Sequence, residues 1–329
     1  MTVRPASSPY PPDVTTGREG CVNGGMAAND PAGDRAFGQH RQLLVGIAYR
    51  ILGSTFDAED AVQDAWLRWS GTDRTAIDDP KAYLITITTR LAIDRLRRAR
   101  VRRETYVGTW LPEPIATDTD LAEHAGLAES VEFAMLVVLE TLSPLQRAVF
   151  VLREAFDLPY TEIAAVVGRE EAAVRQLARR ARDDVAARRP RFDQDRARRR
   201  EITERFLAAC ASGDVDRLTS LLARDVTLTS DSGGRAMAPR RMIAGVDKVA
   251  RFLIAISSLV TLPNFLDSIG RPPTTDLAAE ILDVNAAPAI VITADGSPVL
   301  VISVVVADGC VREIFLLVNP EKLGGMSQT

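Results

Sequence analysis

The chain has 329 residues, 46% of them hydrophobic and 26% charged, with a formal net charge of −4. That length can supply cores for two or three domains, and the composition is globular rather than disordered or fibrous. No apolar run reaches the roughly eighteen residues of a membrane span, and the N-terminus reads as lacking the apolar core of a signal peptide. Cys21, Cys210 and Cys310 are far apart and form no CxxC pair, so neither a zinc site nor a disulfide framework is expected, and a reducing cytoplasm fits. The acidic total hides an asymmetry. Residues 90–103 hold seven arginines and one acid, whereas the chain from Phe206 onward has 13 acids and 10 bases. Locally concentrated positive charge is the footprint of a nucleic-acid binder.

In chain order, residues 1–34 are rich in Pro, Gly, Ser and Thr without periodicity, and are expected to form a disordered extension. Met26 opens a segment that reads as an alternative start. From Phe37 the pattern is helical. Leu43, Leu44, Ile47, Ala48 and Ile51 define one amphipathic helix, stopped at Gly53. Asp57 is expected to cap a second helix, Ala58 to Trp69, with Ala61, Val62, Ala65, Trp66 and Trp69 on one side. A loop, Gly71 to Asp79, leads to an Asp79 cap with Pro80 at the first helical position. The long helix that follows turns Leu84, Ile87, Leu91 and Leu96 inward.

Residues 105–130 read as a linker containing Trp110-Leu111-Pro112-Glu113-Pro114. Residues 131–190 are helical again and include a helix-turn-helix with Gly168 at the turn. In its second helix Val174, Leu177, Ala181 and Val185 form the apolar stripe, and Arg175, Gln176, Arg179 and Arg182 lie opposite. Guanidinium and amide groups on such a face can meet phosphates and base edges in a major groove. Residues 196–329 form a separate α+β unit. Two helices, Glu201 to Ala211 and Val215 to Ala223, precede five strands, and a helix near Asp247 to Ser258 interrupts them. Asp295-Gly296 and Asp308-Gly309 are hairpin turns between β-branched runs.

Three segments together resemble a known family. Residues 57–69, with Asp57, Glu59, Asp60, Gln63, Asp64 and Trp66, resemble region 2.2 of bacterial extracytoplasmic-function (ECF) sigma factors. Residues 80–100 resemble regions 2.3 and 2.4, and residues 142–184 resemble region 4. The resemblance implies two all-α sigma domains, a region 2 bundle over 35–104 and a region 4 helix-turn-helix over 131–190. It also implies that Glu59, Asp60, Gln63 and Asp64 dock on the β′ coiled coil of RNA polymerase core, while region 4 meets the β flap. Arg90, Arg95, Arg97, Arg98 and Arg100 would then engage the −10 promoter element, with the Gly71–Asp79 loop as a pocket for a flipped base. Arg175, Gln176, Arg179 and Arg182 would read the −35 element. Two positions depart from the family pattern: Tyr83 stands where relatives often carry Trp, and Glu170 where most carry Ser.

The linker motif Trp110 to Pro114 further resembles the subgroup with a C-terminal SnoaL-like (nuclear transport factor 2-like) cone. Two motifs in the last domain fit the same subgroup: Asp231-Ser232-Gly233-Gly234-Arg235, and Asn319-Pro320-Glu321-Lys322-Leu323. The resemblance implies control by the cone itself, through these three motifs, without a separate anti-sigma factor. No cofactor, metal site, membrane association or catalytic residue is expected. The cone contains no histidine, since the chain's two are His40 and His124. The reading from another class is a stand-alone helix-turn-helix regulator with a ligand-sensing domain, which would bind duplex DNA without polymerase.

Overall fold

The structure, a computed structural model, describes residues 31–117, 132–188, 195–258 and 261–326. Met26, Cys21, His124 and the acidic part of the linker fall outside the described residues. The first helix, α1, spans Pro31–Leu52, so it begins inside the stretch read as an extension. Helices α2 (Thr55–Ser70) and α3 (Pro80–Arg103) pack on it. The cap of α2 is Ser54, whose hydroxyl accepts from the Asp57 amide at 3.1 Å, and not Asp57 as the sequence suggested. Either residue can cap, but only Ser54 has the extended backbone that directs its oxygen to the first turn. Trp66, expected on the buried side, is 39% exposed, and Ala58 joins the buried face instead. Asp79 caps α3 at the Ala82 amide, as expected. A 3₁₀ turn, Arg74–Ala76, lies within the loop before it.

Region 4 comprises α4 (Phe133–Leu139), α5 (Pro144–Phe150), a π turn (Val151–Ala155), α6 (Tyr160–Val167) and α7 (Glu171–Arg188). Ser143 and Gln146 form a reciprocal capping box at the start of α5. Gly168 ends α6 in the left-handed conformation, φ 63°, which allows the sharp turn into α7. Val174, Ala178, Ala181 and Val185 are the buried stripe of α7, and Leu177 is only half-buried. Their core is continuous with that of α1–α3, so the two helical units share one apolar interior.

The cone contains α8 (Arg196–Ser212), α9 (Val215–Leu221), β1 (Leu222–Asp231), β2 (Ile243–Ala244), α10 (Val246–Ser257), α11 (Leu262–Ser268), β3 (Leu277–Val284), β4 (Ala287–Ala294), β5 (Ser297–Ala307), β6 (Cys310–Leu317) and α12 (Pro320–Leu323). The sheet order is β2-β1-β6-β5-β4-β3, with β1 and β6 parallel and all other pairs antiparallel. Asp295-Gly296 and Asp308-Gly309 both have positive φ at their turns, as a two-residue hairpin requires. The third hairpin uses Asn285-Ala286, where alanine at φ 59° gave no sequence signal. Alternation along β6 splits the sheet into two apolar faces. Ile314 and Leu316 face the cone's own helices, whereas Phe315 and Leu317 face the linker and α4. No single described helix is long and apolar enough to cross a membrane.

Helix α8 starts five residues before its apolar pattern does because the Asp195 carboxylate accepts from the Ala197 and Arg198 amides at 2.9 and 3.2 Å. Asp195→Ala is expected to lower stability by about 1 kcal/mol. Urea denaturation measures the loss, and hydrogen exchange should show fraying confined to Arg196–Arg200.

Candidate functional site

The three motifs singled out in the linker and cone meet at one buried carboxylate. Asp231, 1% exposed, ends β1. Its Oδ1 accepts from the Tyr106 hydroxyl at 2.5 Å and the Gly233 amide at 3.0 Å. Its Oδ2 accepts from the Leu111 amide at 2.8 Å and Lys322 Nζ at 2.6 Å. Lys322 also donates to the Leu111 carbonyl at 2.5 Å and lies 3.9 Å from the Trp110 ring centre. Burial pulls the Lys322 ammonium down to about 8, against the opposing pull of Asp231. Asn319 caps α12 at the Glu321 amide and donates to the Tyr106 hydroxyl at 2.9 Å. Burial pushes Tyr106 upward, with Asp231 beside it acting in the same direction, so its hydroxyl keeps its proton and can donate.

The paired glycines are required by this convergence. A Cβ on Gly233 would lie 2.7 Å from Asn319 Nδ2, and one on Gly234 2.9 Å from Val107 Cβ. Arg235 reaches Glu321 at 2.6 Å on the exposed rim. Pro320 and Leu323 belong to the α12 turn, and Leu323 is buried against the linker-facing side of the sheet. Tyr106 was not singled out from sequence, where it is merely an aromatic four residues before Trp110.

On its other side the linker is fastened to the first helices. The Arg103 guanidinium lies 3.3 Å from the Trp110 ring centre, so the indole sits between two cations. Arg103 pairs with Glu140, which also pairs with the fully buried Arg147. Glu113 accepts from the Thr55 amide and hydroxyl at 2.7 and 2.6 Å, and its carbonyl accepts from the Tyr49 hydroxyl at 2.7 Å. Tyr49 accepts in turn from Asn285 Nδ2 at 2.8 Å, and Asn285 Oδ1 accepts from the Ile115 amide at 3.1 Å. Pro112 and Pro114 are buried in this strip. Lacking an N–H, they leave no donor to satisfy there.

The sequence-identified charges outside the linker are also engaged. Arg95 bridges Asp60 and Asp64 at 3.3 and 2.6 Å, and Arg41 pairs with Glu59 at 2.5 Å. Arg90 donates to the Val166 and Ala165 carbonyls at the end of α6, at 2.8 and 3.0 Å. Arg100 donates to the Glu140 carbonyl at 3.0 Å and to that of Leu142. Two of the five arginines assigned to the −10 element therefore satisfy orphan carbonyls of region 4 in this arrangement. Arg97 and Arg98 remain exposed beside Asp94. On α7, Arg175, Gln176, Arg179 and Arg182 are all exposed. Arg175 pairs with Glu171, Arg179 with Asp183 and Arg182 with Glu154. Tyr83, at the position where the resemblance suggested a stacking Trp, is half-buried, with its ring 5.9 Å from that of Trp69.

Comparison with known proteins identifies the helical part of the chain. Residues 36–102 match the family model for Sigma-70 region 2, and residues 132–185 that for Sigma-70 region 4. The ECF RNA polymerase sigma factor SigJ of Mycobacterium tuberculosis is 49% identical over 221 residues, 66% of this chain and 70% of SigJ. A probable ECF RNA polymerase sigma factor of the same organism, SigI, is 31% identical over 301 residues, covering 91% of this chain and 97% of SigI. This chain belongs to the ECF RNA polymerase sigma factors. The crystal structure of M. tuberculosis SigJ superposes with a TM-score of 0.70 at 39% identity, covering 89% of this sigma factor and 98% of that chain. The fold is thus two helical sigma domains followed by the α+β cone, and the function is that of a sigma factor. The stand-alone regulator reading is not favoured.

Removing one member of a buried ion pair strands the other. Asp231→Asn and Lys322→Met are each expected to lower the stability of this sigma factor by about 3–5 kcal/mol. The double variant should lose less than the sum of the two. Urea denaturation of the four proteins measures the coupling.

Proposed function

We propose that this sigma factor is controlled in cis by its cone, which grips the linker and holds regions 2 and 4 in a closed pairing. The observation that carries this reading is the Asp231 carboxylate, which binds Tyr106 and Leu111 of the linker and Lys322 of the cone together. In the open form Glu59, Asp60, Gln63 and Asp64 dock on the β′ coiled coil of core polymerase, and region 4 meets the β flap. Arg90, Arg95, Arg97, Arg98 and Arg100 serve the −10 element, and Arg175, Gln176, Arg179 and Arg182 the −35 element. The closed form competes with promoter contact, since Arg90 and Arg100 are spent on region 4 carbonyls. The protein works by binding rather than turnover, in the cytoplasm with polymerase and promoter. The cone takes the place of a separate anti-sigma factor.

In vitro transcription with core polymerase on the protein's own upstream region tests the reading. Folded Lys322→Met protein is expected to give at least about fivefold more promoter-specific transcript than the parent, the lower range of a coupling between sites. Unchanged or lower yield from the folded variant would sink the closed-form reading. Asp60→Ala with Asp64→Ala is expected to weaken core binding about tenfold or more, from loss of two charged contacts of about 1 kcal/mol or more each. Normal core binding by that variant in a pull-down would move the docking face elsewhere.

A further inference from the structure

The cone encloses a cavity of about 260 Å³ between its sheet and helices α8, α10 and α11. Its walls include Phe206 and Cys210 from α8, Phe252 and Ile256 from α10, and Ile290 and Ile302 from the sheet. None of the described residues lining it is charged, and none is a histidine. Its two hydroxyls are already committed to backbone carbonyls. Ser257 donates to Leu253 at 2.9 Å, and Thr261 to Ser258 at 3.1 Å. Burial pushes the Cys210 thiol up to about 12, so this wall too stays uncharged.

Empty apolar space forfeits dispersion contacts along every wall. Larger side chains could close the void, yet Ala211, Ala278 and Ala279 keep it open. Ala211, Met237, Ser257, Ala278 and Ala279 are exposed, so the cavity opens to solvent along one side. An apolar cavity of roughly 150 Å³ takes benzene, and on that scale this one holds on the order of ten non-hydrogen atoms. A carboxylate or phosphate placed inside would lose its water without gaining a partner.

We propose that this cavity is a binding site for an uncharged, hydrocarbon-like small molecule of aromatic or short aliphatic kind. The site stands on its own geometry and does not depend on control by the Asp231 clasp, the set of bonds that joins Tyr106, Leu111 and Lys322. Its occupant would nevertheless lie against Leu316 and Val318. The Val318 amide donates to the Asp231 carbonyl at 2.9 Å, and Asn319 follows directly. The bound molecule therefore touches the strand end from which the clasp is built.

Titration of the full chain with 1-fluoronaphthalene, followed by fluorine NMR, tests the site. Saturable binding of one molecule per chain is expected, at least tenfold tighter than that of the charged 4-fluoro-1-naphthoate. Ile256→Trp and Leu207→Trp fill the void from partly buried positions and should each weaken binding at least tenfold. Ile256→Val leaves the void open and should bind as the parent does. Isoleucine methyl shifts in the parent protein locate the probe without any substitution, and they should centre on Ile290, Ile292 and Ile302. The proposal is overturned by absence of saturable binding up to the probe's solubility, by equal binding of the naphthoate, or by methyl shifts centred elsewhere. Undiminished binding to folded tryptophan variants would overturn it as well.

Discussion

A carboxylate withdrawn from water must be supplied with donors, and Asp231 takes them from three segments far apart in sequence. Tyr106 and Leu111 come from the linker, Gly233 from the next turn and Lys322 from the end of the cone. Each donor fixes the place of its own segment, because a missing one would leave a buried charge short of partners. The net stabilisation of such a pair can be small, since both charges lose hydration. Its larger effect is on specificity: few other arrangements of linker and cone satisfy all four bonds at once. Lysine is rare in this chain, occurring at 81, 248 and 322, while arginine abounds. At this site a compact ammonium reaches a carboxylate, a carbonyl and an indole face together, which a planar guanidinium does less readily.

Around that point the linker acts as a strap with two bonded edges. One edge holds the turn between α1 and α2 through Glu113, and the other pairs with the cone through Ile115, Asn285 and the Thr117 amide on the Asp283 carbonyl. Tyr49 joins the two edges by donating to Glu113 and accepting from Asn285. Region 4 is drawn in by a second route. Glu140, just after α4, pairs with Arg103 of α3 and with Arg147 of α5, while Phe133 of α4 packs on Phe315 of the sheet. The helical units and the cone therefore pack as parts of a single assembly in this arrangement.

In the proposed cycle, opening has identifiable costs and identifiable compensation. It would expose the apolar strip under Leu111 and Phe133 and release the carbonyls that Arg90 and Arg100 now satisfy. Polymerase and promoter shift the balance only to the extent that they bind the open form better. The contacts that opening itself gives up are the bonds of Arg90 and Arg100 to region 4. The half-exposed Arg95 pairs with Asp60 and Asp64 lie within region 2 and are already weakened by water and salt. The buried Asp231 contact lies elsewhere, between the linker and the cone.

Much of this was legible from one sequence because it rests on local rules. The apolar period placed α1–α3 and α7, Asp79-Pro80 marked the start of α3, and two Asp-Gly pairs marked hairpins. The Asn285-Ala286 turn escaped because alanine seldom adopts positive φ, and it is held there by the pairing of β3 with β4 and by the linker, whose Ile115 carbonyl and Thr117 hydroxyl accept from the Asn285 and Ala286 amides. Charge clustering identified the arginines but not their partners. Nothing in residues 90–103 indicates that Arg90 would meet α6, 75 and 76 positions away. Likewise, the motifs around Trp110, Asp231 and Asn319 could be singled out one by one, yet their meeting at one carboxylate could not be read from spacing. Tyr106 and Asp231 are 125 residues apart, and Tyr106 and Asn319 are 213 apart. By itself the sequence determined which elements form and which faces are apolar, because propensity, capping and periodicity act over a few residues. Only the tertiary structure decided which charges are spent internally and where the linker is held, because desolvation and pairing depend on neighbours that the chain brings together only when it folds.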